Sequence, residues 1–191
     1  MRVSTLPQDY HHGDLARALE QAAMRLLAEK PAAMIGLREV ARTAGVSHNA
    51  PYHHFSDRRG LLKVLAERSM AELLTAVRAE VGQAGDPGEV LRRGGAGYIR
   101  FATERPNAFE VIYDPTVCVP GDPTETMAPL IAELERLLTE AASGAGLEPE
   151  AGAISVWGLM HGLATLAAAG HITSQQAQSG CAQTLTGMLP R

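Results

Sequence analysis

Cysteine is nearly absent from this chain: Cys118 and Cys181 stand far apart and outside any paired motif. That spacing excludes a Cys-x-x-Cys metal or redox site and fits a reducing compartment. Aromatic residues amount to only 4%, and runs of β-branched residues are few, whereas alanine is abundant. Such a composition favours packed helices over sheet. No run of 18 apolar residues occurs, and the opening MRVSTLPQDYHHGD lacks an apolar signal core. A cytoplasmic protein is therefore expected. Positive charge is also lacking overall, with a net charge of −4. The deficit is uneven: 11 Lys/Arg face 9 Asp/Glu through Glu80, and 6 face 12 beyond it. A mildly basic first part on an acidic remainder suits nucleic-acid contact confined to one end.

What the chain does have is 191 residues, 46% of them hydrophobic, enough for a real core in one domain or two small ones. The informative stretch is Gly36 to Phe55. Leu37, Val40, Ala41 and Ala44 recur at helical spacing and line one face. Gly45 supplies a left-handed residue to end that helix, and Ser47 is placed to cap the next. A second short helix is expected through Tyr52 to Phe55. Two short helices about a tight glycine turn form a helix-turn-helix, whose second helix can enter a DNA major groove. Pro51 falls in the first turn of that helix, where a missing N–H costs little.

The run LREVARTAGVSHNAPYHHFSDRRGLL resembles the DNA-binding domain of TetR-family transcriptional regulators, and the upstream YHHGDLARALEQAAMRLLAE resembles that family's first helix. Together they span residues 9–75. The upstream helix carries an apolar stripe of Leu15, Leu19, Ala22, Ala23, Leu26 and Leu27. By the resemblance, its start lies near phosphate, which brings His11 or His12 to the DNA backbone. Arg58 stands where the family usually has a lysine near the start of its fourth helix, and a guanidinium there binds phosphate.

Within the helix-turn-helix, Val40, Ala41, Val46 and Phe55 are the expected core. Tyr52 is expected to pack its ring and leave its hydroxyl available. Arg38, Arg42 and Thr43 are polar positions of the helix that crosses the backbone. His48, Asn49, Ala50 and His53 front the second helix and are the candidates for reading bases. Asn49 can pair bidentately with adenine, and Ala50 can meet a thymine methyl. Ser47, Tyr52 and His54 suit phosphate. A metal is not expected, because His48, His53 and His54 do not share one helical face and no cysteine or carboxylate lies among them.

Beyond this head, a long helix is predicted from Leu61 toward Val81, then a loop at GQAGDPG, then a helical body over residues 82–191. Its helices are expected over Val90–Thr103, from a cap at Asn107 through Tyr113, over Met127–Ala142, over Ala151–Ala169 and from about Gln175 to Leu189. The GGAG at 94–97 is not a phosphate loop, and no cofactor-binding pattern is recognised. WGLMHG places Trp157 and His161 on one helical face. It resembles the signature of one TetR-family C-terminal domain type. The two side chains either pack where helices meet or line an effector pocket with Tyr98, Phe101, Tyr113, Met127 and Met160 as walls. Ala164, Ala167 and Ala168 permit close helix approach in a two-fold interface.

The expectation is an all-α, homodimeric regulator, a repressor that binds a palindromic operator and is released by a small-molecule effector. Effector binding would tilt the long helix that the family uses as its link. An enzyme or ligand carrier with a vestigial head is the alternative, but no nucleophile–base pair or paired carboxylates stand out. Glu133 and Glu135, two apart, point in different directions. A redox or metal sensor built on the two cysteines is a third reading.

Overall fold

Among the described residues, 12–189 of the computed structural model, every regular element is helical. The α-helices are α1 (His12–Glu29), α2 (Leu37–Ala44), α3 (Arg58–Val81), α4 (Pro87–Glu104), α5 (Pro106–Ile112), α6 (Met127–Gly144), α7 (Pro149–Ala168) and α8 (Ser174–Met188). Two 3-10 turns, Ala32–Met34 and Ala50–His53, complete the set. The chain divides into two compact units inside α3, one reaching Leu65 and the other starting at Ala66.

The first unit is the head. The stripe of α1 is its floor: Leu19, Ala22, Ala23, Leu26 and Leu27 are buried. Leu37, Val40 and Ala41 of α2 are buried as their spacing requires, with Ile35 and Phe55. Gly45 ends α2 at φ 72°, its N–H returning to the carbonyls of Ala41 and Arg42. The second short helix differs from expectation. It is the four-residue 3-10 turn Ala50–His53, closed by Ala50 N–H to Ser47 O, Tyr52 N–H to Asn49 O and His54 N–H to Pro51 O. Pro51, near its start, has no N–H to offer an α-helical ladder, and no side chain caps the turn, so Ser47 contributes its carbonyl rather than its hydroxyl.

The second unit is the body. Its helix α4 starts cleanly: the Asp86 carboxylate accepts from Glu89 N–H at 2.7 Å, and Pro87 takes the first helical position. Glycines inside α4 let neighbours approach. A Cβ at Gly95 would sit 2.9 Å from Cys181 Sγ, and one at Gly97 would sit 3.2 Å from the Ala76 carbonyl. Ion pairs fix the Ala66–Val81 part of α3 within this unit: Glu80 with Arg100 at 2.5 Å, Glu72 with Arg105 at 3.0 Å, and Arg78 with Glu133. Burial pushes the Glu72 carboxyl up against the pull of Arg105. Helix α5 begins at Pro106, so Asn107 lies inside its first turn instead of capping it. Helix α8 opens with a capping box in which Thr173 and Gln176 satisfy each other's backbone N–H.

Candidate DNA-reading surface and body cavity

In the head, the turn after Gly45 exposes Ser47, His48 and Asn49, and the 3-10 turn exposes Tyr52 and His53. Five polar side chains thus stand on one short surface segment held by a buried floor. Ala50 is not among them. It is only 8% exposed, because the tight turn brings its methyl into the core, so its expected contact with a thymine does not fit this placement. Tyr52 is 52% exposed and does not pack its ring in the core; the whole side chain is offered to the surface. Val46 is half-buried.

The expected phosphate ligands are tied in different ways. His54 shares a 3.1 Å contact with Glu20 of α1, so its ring faces a carboxylate within the head. The Arg58 guanidinium donates to the Ala33 carbonyl at 2.6 Å, and the fork has further N–H groups for a phosphate. Arg38 is exposed; Arg42 is exposed and meets Glu39 at 3.4 Å; Thr43 is half-buried, its carbonyl accepting from Arg25 at 3.5 Å. The anticipated contacts of His11 and His12 lie outside the described side chains.

In the body, Tyr98 is fully buried and its hydroxyl meets the Tyr113 hydroxyl at 2.5 Å and His161 Nδ1 at 3.0 Å. Phe109 and Trp157 complete the ring cluster, at centroid distances of 5.5 and 6.2 Å from His161. Burial pushes both tyrosine hydroxyls up and the His161 imidazole down, so the group is held neutral. Trp157 and His161 share a face, as their spacing of four requires.

A cavity of about 180 Å³ lies in the body. Val77, Arg78 and Val81 of α3, Val90, Leu91, Gly94 and Tyr98 of α4, Leu134, Leu137, Leu138 and Ala141 of α6, and Met160 of α7 form its walls, with Gly82. Of the seven residues proposed from sequence, Tyr98 and Met160 line it. Phe101 and Met127 are instead buried in the body's packing, and Tyr113, His161 and Trp157 do not line it: Tyr113 and His161 bond the Tyr98 hydroxyl, and Trp157 stands beside His161. Sequence reasoning missed the aliphatic wall and Arg78. The aliphatic residues carry no signal distinct from ordinary core; the one available hint was a glycine run inside an apolar helix.

Two segments of the chain match known families. Residues 20–65 match the family of bacterial regulatory proteins named for TetR, and residues 91–189 match the tetracyclin repressor-like C-terminal domain. A protein of unknown function from Rhodococcus sp. RHA1 shares 29% identity, covering 96% of this chain and 100% of its own, with TM-score 0.76. A TetR-family transcriptional regulator from Streptomyces coelicolor shares the fold at 19% identity, TM-score 0.69, over 92% of this chain and 80% of its own. AibR in complex with isovaleryl coenzyme A and operator DNA shares it at 21% identity, TM-score 0.64, over 89% and 97%. An exposed polar turn on a helix-turn-helix, joined to a helical body that matches the repressor-like domain over its length, makes this chain a member of the TetR family of transcriptional regulators.

Proposed function

We propose that the protein is a homodimeric, ligand-responsive repressor that reads a palindromic operator in the cytoplasm and releases it when a small effector enters the body cavity. The observation that carries this reading is the double use of α3. Its first residue, Arg58, follows the reading turn, and its last two turns supply Val77, Arg78 and Val81 to the cavity wall. A ligand that favours one arrangement of those turns can bias the other end of the same helix, by the ~1–3 kcal/mol usual for allosteric coupling. AibR, seen with an acyl coenzyme A and operator DNA, supports a ligand-controlled DNA binder of this fold.

Dimerisation is supported by α7. It is long and apolar enough to cross a membrane by length and composition, yet only a third of its most apolar window is buried. Ile154, Trp157 and Leu166 remain 66%, 40% and 44% exposed, and a Cβ at Gly158 or Gly162 would meet nothing within 4 Å. An apolar, flat helix face of this kind suits a second copy packed across a two-fold axis.

Ser47, His48, Asn49, Tyr52 and His53 are assigned to DNA by exposure, with Asn49 and His53 reading bases and Arg58 and Arg38 holding phosphate. Anisotropy titrations on the DNA flanking the gene, at two salt concentrations, test the assignment. Asn49→Ala should cost about 1–3 kcal/mol on the operator and little on random DNA. Arg58→Gln should weaken both alike and reduce the salt slope by about 1. Equal losses on both DNAs for Asn49→Ala would remove it from the reading set.

A further inference from the structure

The chemistry of the cavity wall narrows the effector, on the footing that the cavity is the effector site. The wall is aliphatic except at Tyr98, whose hydroxyl is already bonded to Tyr113 and His161, at the Met160 thioether and at Arg78. Arg78 is the wall's only charged residue, and its side chain is more than half exposed, so the cation stands toward solvent beside an apolar interior. A cavity of about 180 Å³ is small for a drug-sized ligand. An apolar cavity of roughly 150 Å³ accepts a benzene, so this one suits about six to eight carbon atoms.

Arg78 now holds Glu133 of α6, but Glu133 does not depend on it. Arg136 reaches the same carboxylate at 2.9 and 3.0 Å and is itself anchored to Glu140 at 2.6 Å. Arg136 is also the larger reason that the Glu133 carboxyl lies well below the usual range, at about 2. Glu133 would therefore stay ionised and paired if Arg78 turned away. An exposed ion pair is a weak tie.

We propose that the effector is a small amphiphilic monoanion, a carboxylate with an apolar tail of about six to eight carbons, whose head takes Arg78 from Glu133 while its tail fills the cavity. The exchange replaces a link between α3 and α6 with a link between α3 and the ligand. A neutral molecule with the same tail fills the cavity and leaves the Arg78–Glu133 pair closed.

Calorimetric titration of the full chain with octanoate and with 1-octanol tests this. Octanoate should bind about tenfold or more tightly than octanol, as a charge-assisted contact implies. Arg78→Gln should erase that preference and leave octanol unchanged. Glu133→Gln, which removes the competitor, should tighten octanoate several-fold, an effect that a merely structural ion pair would not produce. Gly94→Leu should abolish both, because a Cβ at Gly94 points at Val77 and Val81 at 3.8 and 3.7 Å in the cavity wall. Equal binding of the two compounds, or an octanoate affinity indifferent to Arg78→Gln, overturns the charge inference while loss on Gly94→Leu keeps the cavity. Binding unaffected by Gly94→Leu overturns the cavity reading itself, and binding of neither compound overturns both.

Discussion

The head packs most of its apolar side chains into a closed core beneath a polar turn, whereas the body keeps a cavity among its apolar side chains. In the head, Leu19, Leu27, Val40 and Phe55 are buried, and the residues proposed to meet DNA, Ser47 to Asn49, Tyr52 and His53, stand outside on a turn held by backbone bonds. In the body, Gly95 and Gly97 let neighbours pack closely on α4, while Gly94 stands in the wall of a partly open cavity bordered by aliphatic side chains. Surface recognition needs polar atoms at fixed positions, whereas interior recognition needs atoms to be missing. The two demands leave very different traces in a chain.

The largest test of this separation is Phe55→Ala. Removing a ring that is 2% exposed should cost about 3–5 kcal/mol. Trp157, the single tryptophan, lies in the body. If the two units keep their own cores, urea should melt the variant's head early by circular dichroism while the Trp157 fluorescence transition stays in place. Coincident loss of both signals would show one cooperative unit and break the comparison.

Next comes the pair of adjacent glycines. Gly95→Leu meets Cys181 Sγ at 2.9 Å and Met160 Sδ at 3.3 Å from the first added carbon, and should destabilise by about 1–3 kcal/mol. Gly94→Ala meets only ordinary contacts and should stabilise by up to about 1 kcal/mol through helix propensity. Denaturation midpoints moving in the same direction would mean that the two neighbouring positions do not differ in the room they leave for a side chain. For the proposed interface on α7, Ile154→Glu should shift sedimentation from dimer to monomer and abolish tight operator binding, leaving the helical content unchanged.

The smallest effect is a proton. Burial lowers the His161 value in the fold, so the unfolded chain binds the proton more readily. The contribution is fully present above the unfolded histidine value and is lost as pH falls through the folded one. Glu72 works with the opposite sign at more acidic pH, since its folded value is raised. The difference between wild type and His161→Gln isolates the histidine: wild-type stability should fall more steeply than the variant's from pH 7 toward pH 5.

How far the residues themselves announced these features follows the same division. The apolar periodicity of α1 and α2, the Gly45 stop and the loop at GQAGDPG were legible because each rests on a local rule. The 3-10 form of the second short helix was not, since a proline in the first turn is equally at home in an α-helix. The burial of Ala50 and the exposure of Tyr52 follow from the 3-10 form. Tyr98 and Met160 were legible as wall residues, whereas Val77, Leu134 and Leu137 were not. Nothing distinguishes a leucine beside a cavity from a leucine beside another leucine. Arg78 reads in sequence as an ordinary solvated cation, and only α6 across from it gives it a partner.

Gly94 also sets a limit on the tail proposed above. Its neighbour Gly95 is hemmed in by sulfur on two sides, but a side chain at 94 has room. Residue 94 therefore behaves as an adjustable stop at the wall of the chamber. Changing it from nothing to a methyl and then to a branched chain would shorten the tail that fits, one step at a time, without rebuilding the helices around it. On the effector reading proposed above, a single position would retune which chain length the protein answers to, leaving the residues proposed to meet DNA untouched.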